Sequence, residues 1–321
     1  MKILTRAALS CALALAALGA SAQTFPAKPL KLVIGYPPGG GSDAIGRVVA
    51  QKLGEQLGQQ VIVDNKPGAN GNLGAELAAR LPGDGYNLLL ISVAHAINIS
   101  LYPKLSYDLA RDFTPVALIG AVPNTVVVHP SLGADSVKAL IALAKANPGQ
   151  ISYASSGVGS PEHLAGEMFK SAAGIDMVHV PYKGSGQSVV DLAAGHIKVG
   201  FNTLPSVLGQ MKAGKVKVLA VTTRLRSMAH PEVPTVTEAG LDKFELATWY
   251  ALVAPAGTPP AIVKRLNDEV NRALASPDVK DRLGTLGTDI ETSTPEELGA
   301  FIRRETEKLR VLVQKTGARA E

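Results

Sequence analysis

Two turns rich in glycine and serine hold most of the chemistry that this chain could do with a ligand. Tyr36-Pro37-Pro38-Gly39-Gly40-Gly41-Ser42-Asp43 follows an apolar run over 30–35 and precedes a helix-like pattern over 44–57. Ser155-Ser156-Gly157-Val158-Gly159-Ser160 follows a short apolar run, 151–154, and precedes a second helical pattern over 161–173. Glycine lets the backbone approach a ligand and turn its N–H groups inward. The helix behind such a turn adds unpaired donors and a partial positive charge. Each turn is therefore a candidate anion seat, although Ser155, Ser156 and Ser160 also read as helix caps. Two seats, in what read as separate α/β lobes, predict one small anion gripped from both sides. A third segment, Pro181-Tyr182-Lys183-Gly184-Ser185-Gly186-Gln187, again joins a strand to a helix. Lys183, the cation within these turns, reads as a ligand contact or as a solvated loop lysine.

Other chemistry is weakly supported. No lysine follows the triple glycine, so the first turn is not a nucleotide P-loop, and no convincing dinucleotide fingerprint is present. Gly184-Ser185-Gly186 lacks the frame of a nucleophile elbow. His95, His129, His163, His179, His196 and His230 have no metal-ligand spacing, so no metal site is expected. His163 reads equally as a ligand donor and as a structural hydrogen bonder. His95 lies just past a strand end, where α/β proteins bind ligands, but a structural role is as strong. Serine and histidine without a fixed acid partner are no evidence for a triad. Trp249, the single tryptophan, reads as packing ahead of ligand stacking.

The elements that would position these turns alternate strand and helix, which predicts parallel sheets flanked by helices. Strands are expected at 30–35, 60–64, 87–91, 116–120, 125–129, 151–154, 177–181, 197–203 and 216–222, with a long irregular stretch before 116. Helices are expected at 44–57, 70–81, 137–146, 161–173, 188–194 and 206–213. After an extended segment, 244–254, the tail turns helical. Pro259-Pro260 opens a helix to about 275, Ser276-Pro277 a shorter one, and Thr294-Pro295-Glu296-Glu297 a capping box for the last. The apolar stripes of these helices need a surface, and the simplest solution returns the chain near Thr248 to the first lobe. That division reads as 23–124 plus 248–321 for lobe 1 and 125–247 for lobe 2.

The first 22 residues read as an address. Lys2 and Arg6 form a basic head, 7–18 an apolar run, and Ala20-Ser21-Ala22 a cleavage site. The run is short for a membrane span. Cys11, the single cysteine, would leave with this signal peptide, so a periplasmic protein held by its core rather than by disulfides is expected. Apolar residues at 46% can supply that core. With aromatics at 4% and no basic run, the footprint of a nucleic-acid binder is missing.

Taken together, the 36–43 turn, Asn65-Lys66-Pro67-Gly68-Ala69, residues 155–167, Val180-Pro181-Tyr182-Lys183-Gly184 and the segment 249–259 resemble the solute receptors of tripartite tricarboxylate transporters, the Bug family. The likeness covers essentially the whole chain after the signal. It implies a two-lobe, type II-like periplasmic-binding-protein fold of the Venus flytrap kind with two crossovers. It also implies capture of a small mono- or dicarboxylate through main-chain N–H groups and waters, and delivery to a separate permease driven by an ion gradient. The family often has Asp where this chain has Asn202, which weakens any amine-recognising role there. The expected protein is a monomeric receptor, not an enzyme, without cofactor. Pro38, Gly39, Gly40, Gly41, Ser42 and Asp43 would form one seat, with Ser92 and His95 at its edge. Ser155, Ser156, Gly157, Gly159, Ser160, His163, Tyr182, Lys183 and Gly184 would form the other, and Phe201 and Asn202 would shape the cleft. The competing expectation is an exported hydrolase or isomerase using His163 or His95 as base.

Overall fold

The computed structural model describes residues 25–316 except 103 and 243; the expected signal peptide, with Cys11, lies outside the described residues. Strands β1 (Leu30–Ile34), β2 (Val61–Asn65) and β3 (Asn87–Ser92) run parallel in the order β2-β1-β3. Parallel neighbours need crossover helices, supplied here by α1 (Gly41–Leu57) and α2 (Asn72–Ala79). Directly after β3 comes α3 (Val93–Leu101), inside the stretch expected to be irregular. Its Val, Ile, His, Asn and Ser residues are mediocre helix formers. Burial of Val93, Ala96, Ile97 and Leu101 holds it instead.

The expected strands 116–120 and 125–129 are one sixteen-residue strand, β4 (Phe113–Val128). Pro115 and Pro123 mask it in the sequence, since proline rarely sits inside a sheet. A register shift beside Pro115 and the pairing of Pro123 with the first residue of β9 (Ala247–Pro255) accommodate them. Residues Phe113 to Pro123 lie antiparallel to β9, which also pairs with β3. From Asn124 onward β4 changes partners and runs between β7 (Val199–Thr203) and β8 (Lys217–Val221). Beyond β7 the sheet continues in parallel through β5 (Ser152–Ser155) to β6 (Val178–Pro181). The helices of this second lobe are α4 (Val137–Ala146), α5 (Pro161–Ala173), α6 (Ser185–Ala193) and α7 (Leu204–Lys212). Two α/β lobes thus share β4 as one crossover and return through Leu246 into β9 as the other.

The tail adds α8 (Pro260–Ala275), α9 (Pro277–Thr285), β10 (Asp289–Ile290) and α10 (Pro295–Thr316). α8 packs on β4 and α1, and α9 on α1. α10 covers α3 and β4 and also touches α5 of the second lobe. Gly120 admits β10 beside β4: its φ is +144°, and a Cβ there would collide with the Asp289 carbonyl. The largest apolar cluster is continuous between lobes, from Leu89 and Ile97 through Trp249 and Leu309 to Phe169 and Phe201. Trp249 meets Phe301 edge-on at 5.3 Å, which is a packing role.

The two crossovers are stitched together where they pass. Thr222 Oγ1 accepts the Asn124 N–H at 3.1 Å and donates toward the Leu246 carbonyl at 2.6 Å. Thr248 Oγ1 donates to Asn124 Oδ1 at 3.0 Å. All three side chains are buried. Thr222→Val keeps the shape but strips the buried Asn124 N–H of its acceptor, a loss of about 1–3 kcal/mol. The urea midpoint should fall accordingly with an unchanged m-value.

Candidate functional site

A cavity of about 810 Å³ lies between the lobes. The first lobe lines it with residues 35–42, 67–71, Ser92, Tyr102, Thr248 and Tyr250, and the second with 156–158, Pro161, Glu162, 182–187 and Thr203. The wall is rich in glycine and hydroxyl groups, with Lys183 and Glu162 as its charged residues.

On the first-lobe side the turn is held from behind. Asp43 Oδ2 accepts the Gly39 N–H at 3.0 Å and Arg47 Nε at 2.9 Å. Asp43 Oδ1 accepts Asn65 Nδ2 at 2.9 Å, and the same amide donates to the Tyr36 carbonyl at 3.0 Å. Burial alone would raise the Asp43 carboxyl, but these donors together hold it below the ordinary carboxylate range. Gly39 takes φ +83°, the left-handed region. Gly40 then occupies the N-cap position, where no side chain caps α1. The first N–H groups of α1 have no intrahelical acceptor, and Gly41 and Ser42 line the cavity. Beside them Tyr36 Oη meets Ser92 Oγ at 3.2 Å and donates to the Asn70 carbonyl at 3.3 Å.

The second lobe differs from the sequence expectation in where its open donors sit. The Gly157 N–H goes to Ser155 Oγ, the Gly159 N–H to His163 Nδ1, each at 3.1 Å, and the Ser160 N–H to the Gly157 carbonyl at 3.2 Å. Ser160 Oγ caps α5 by accepting the His163 N–H at 3.1 Å. The turn therefore consumes most of its own donors. The start of α6 is uncapped, since Gly184, at φ +117°, is its N-cap and offers no side chain, and Thr203 at the N-cap of α7 makes no side-chain cap either. The Gly184 N–H itself is spent on the Ser156 carbonyl at 3.0 Å, which leaves Ser185, Gly186 and Gln187 as the open donors by helix geometry. Tyr182 Oη donates to Asp191 at 2.8 Å, and burial with that carboxylate pushes the phenol up to about 12.

Of the expected residues, Pro38, Gly39, Gly40, Gly41, Ser42, Ser92, Ser156, Gly157, Tyr182, Lys183 and Gly184 line the cavity. Asp43, His95, Ser155, Gly159, Ser160, His163, Phe201 and Asn202 stand behind its wall. His95 is fully buried, and its Nδ1 accepts the Ser92 N–H at 3.1 Å. His163 stacks on His179 at 4.0 Å, and His179 Nε2 meets Ser155 Oγ at 2.7 Å. Phe201 sits edge-on to Tyr153 at 5.4 Å, and Asn202 Nδ2 donates to Ser188 Oγ at 2.8 Å. Sequence reasoning missed Tyr250, Thr203, Asn70 and Glu162. Asn70 adjoins the 65–69 motif, Tyr250 lies in the 249–259 segment and Thr203 follows Asn202, but none of these reads as a ligand contact, and Glu162 reads as an ordinary first-turn acid.

Two lobes that share a strand and place donor-rich turns on either side of one cavity define a solute-binding protein of the periplasmic kind. Residues 45–318 match the tripartite tricarboxylate transporter family receptor, and the chain belongs to that family. It is 38% identical to the protein BugT of Bordetella pertussis over 301 residues, covering 93% of this chain and 92% of BugT. Among solved structures, R. palustris Rpa4515 with adipate is 35% identical with a TM-score of 0.89, covering 92% of this chain and 99% of that one. The periplasmic binding protein BugD is 31% identical with a TM-score of 0.87, covering 92% and 100%.

Burial pushes the His95 imidazole down to about 4, well below its ordinary value. The unfolded chain then binds the extra proton first, so stability rises with pH across this window. The contribution is complete above about pH 6.5 and is lost as pH falls toward the folded value of about 4. Melting temperature should decline over that interval, and His95→Gln should lessen the decline without abolishing it, because burial also pushes His163 and His179 down.

Proposed function

We propose that this receptor captures a small organic carboxylate, with a dicarboxylate as its preferred class, and hands it to the membrane permease of a tripartite tricarboxylate transporter. One observation carries the reading: two helix N-termini without side-chain caps, at Gly40 on α1 and Gly184 on α6, face a single cavity from opposite lobes. Each presents fixed N–H donors and a partial positive charge to an anion. Backbone donors of this kind need no side-chain ordering on binding. The adipate in the Rpa4515 structure supports a ligand with a carboxylate for each terminus. The competing exported enzyme finds less support, because His95 and His163 accept backbone N–H groups at Nδ1 and neither lines the cavity.

The lobes are divided at 124 and 248 in this proposal, with 23–124 plus 248–321 forming one and 125–247 the other, after export by a cleavable segment 1–22. β4 changes partners between Pro123 and Asn124, and β9 starts at Ala247, which supports the division. The receptor acts as a monomer. Closure of the cleft reports loading: Asn70 Nδ2, on a residue at φ +53°, donates to the Gly159 carbonyl of the other lobe at 3.0 Å. A Cβ on Gly159 would collide with Leu101 of α3, so the lobes meet closely at this rim. A ligand shifts the open–closed balance only by its differential affinity for the two states, and donors supplied from both lobes provide that difference.

Two measurements test this. A Cβ at Gly41 would stand 3.4 Å from Thr203 Oγ1 and 3.6 Å from Tyr250 Oη, so the branches of Gly41→Val fill the space between the lobes at the seat. Loss of a charge-assisted hydrogen bond costs about 1.5–3 kcal/mol, so calorimetry should find adipate binding weakened by at least about tenfold with the fold intact. Unchanged affinity removes the seat from α1. Small-angle scattering should find the wild-type protein more compact with saturating adipate. Equal radii of gyration, with binding verified in the same sample, would argue for a preclosed site.

A further inference from the structure

Glu162 is out of place in a cavity built for anions. It sits in the first turn of α5 and is 4% exposed, yet it lines the cavity beside the open start of α6. Ser156 Oγ donates to its Oε2 at 2.7 Å, while Ser185 Oγ reaches its Oε1 only at 3.4 Å. Serine hydroxyls and its own backbone N–H contact it, but among the described residues no cation does. The groups around it are accounted for. Tyr36 and Tyr250 approach from the first lobe, both with hydroxyls pushed upward by burial. Tyr182 and Lys183 line the same cavity from the loop before α6. On its own helix stand His163 and also Glu167, which pairs with Lys170, while His179 comes from β6.

We infer that Glu162 carries a proton when the receptor is loaded and donates it from Oε1 to a carboxylate of the ligand, so that capture of the anion takes up a proton. The inference rests on the carboxylate-receptor reading above. A buried carboxylate without a cation is disfavoured against its neutral form, and burial raises the Glu162 carboxyl despite the serine donors and the helix start. A second carboxylate brought within a few ångströms raises it further, because two like charges cannot both stay ionised in one dry site. The balance is simple: a proton leaves a solvent or buffer acid and forms the O–H bond of the Glu162 carboxyl, which hydrogen-bonds to the ligand carboxylate, with no redox change. The engaged oxygen, Oε2, stays with Ser156, and the weakly held Oε1 is the one free to bear the proton. Glu162 thereby selects ligands whose end near α6 accepts a hydrogen bond, and it discriminates against those whose end there is an ammonium.

Calorimetry with adipate in two buffers of different ionisation enthalpy counts the protons taken up. Wild-type protein should take up as much as one proton near neutral pH. In a series from about pH 5 to 9, its affinity should fall as pH rises, by at most about tenfold per unit. Glu162→Gln keeps an N–H donor toward the ligand, so it should bind adipate without proton uptake, independently of pH, and at least as tightly at the upper end. Infrared difference spectra of wild-type protein with isotopically labelled adipate give a second readout, a protonated-carboxyl band that appears on loading and belongs to the protein. No proton uptake, no such band and a loss of affinity in Glu162→Gln would overturn the inference and assign Glu162 as an ionised acceptor. If neither protein binds adipate or any other C4–C6 dicarboxylate at any of these pH values, the ligand class itself fails, and this inference with it.

Discussion

The proposed carboxylate site depends on backbone N–H groups left without side-chain caps at the glycine-led starts of α1 and α6. A buried N–H without an acceptor is costly, so such groups persist only where water or a ligand can reach them. The chain arranges this by placing glycine at the N-cap of α1 and of α6, where serine, threonine or aspartate would normally turn back and close the helix. Asp43 could compete for nearby donors, but Arg47, Asn65 and the Gly39 N–H engage both of its oxygens. α5 has the opposite arrangement. Ser160 caps it and His163 takes the Gly159 N–H, which makes that turn a stiff wall rather than a seat.

Both proposed seats depend on the two lobes being held in register. β4 runs through both lobes without a break, and the hydrogen bonds among Asn124, Thr222, Leu246 and Thr248 tie its midpoint to the returning strand. Around that point the apolar cluster is continuous from one lobe to the other. α10 lies against α3 and β4 while touching α5. The packing across the crossovers is therefore continuous, with no gap in the core between the lobes.

Much of the secondary structure was legible because local patterns there agree with the tertiary fold. Helices Val137–Ala146 and Pro161–Ala173 carry serine caps and clear stops, the second also a proline in its first turn, and such signals act within a few residues. β4 and α3 were not legible. Pro115 and Pro123 argue against a strand, and the composition of Val93 to Leu101 argues against a helix. Both elements exist because the core buries them from several sides, and no window of sequence contains those neighbours.

The same division holds for the site. The glycine-rich turns, their places between strand and helix, and the resemblance to a receptor family are properties of short segments, so sequence alone determined the kind of ligand chemistry and the family. Which donors remain open was decided only by the folded chain, because a donor is spent or free according to partners far away in sequence. Asn65 reaches Asp43, and Ser156 reaches Gly184 and Glu162. Thr203 lines the cavity from the end of β7 and Tyr250 from within β9, where it pairs with Ser92, a placement set by sheet pairing rather than by local pattern. Glu162 looks like a routine helix-start acid until the fold closes the cleft over it, and burial is a property that only tertiary structure confers.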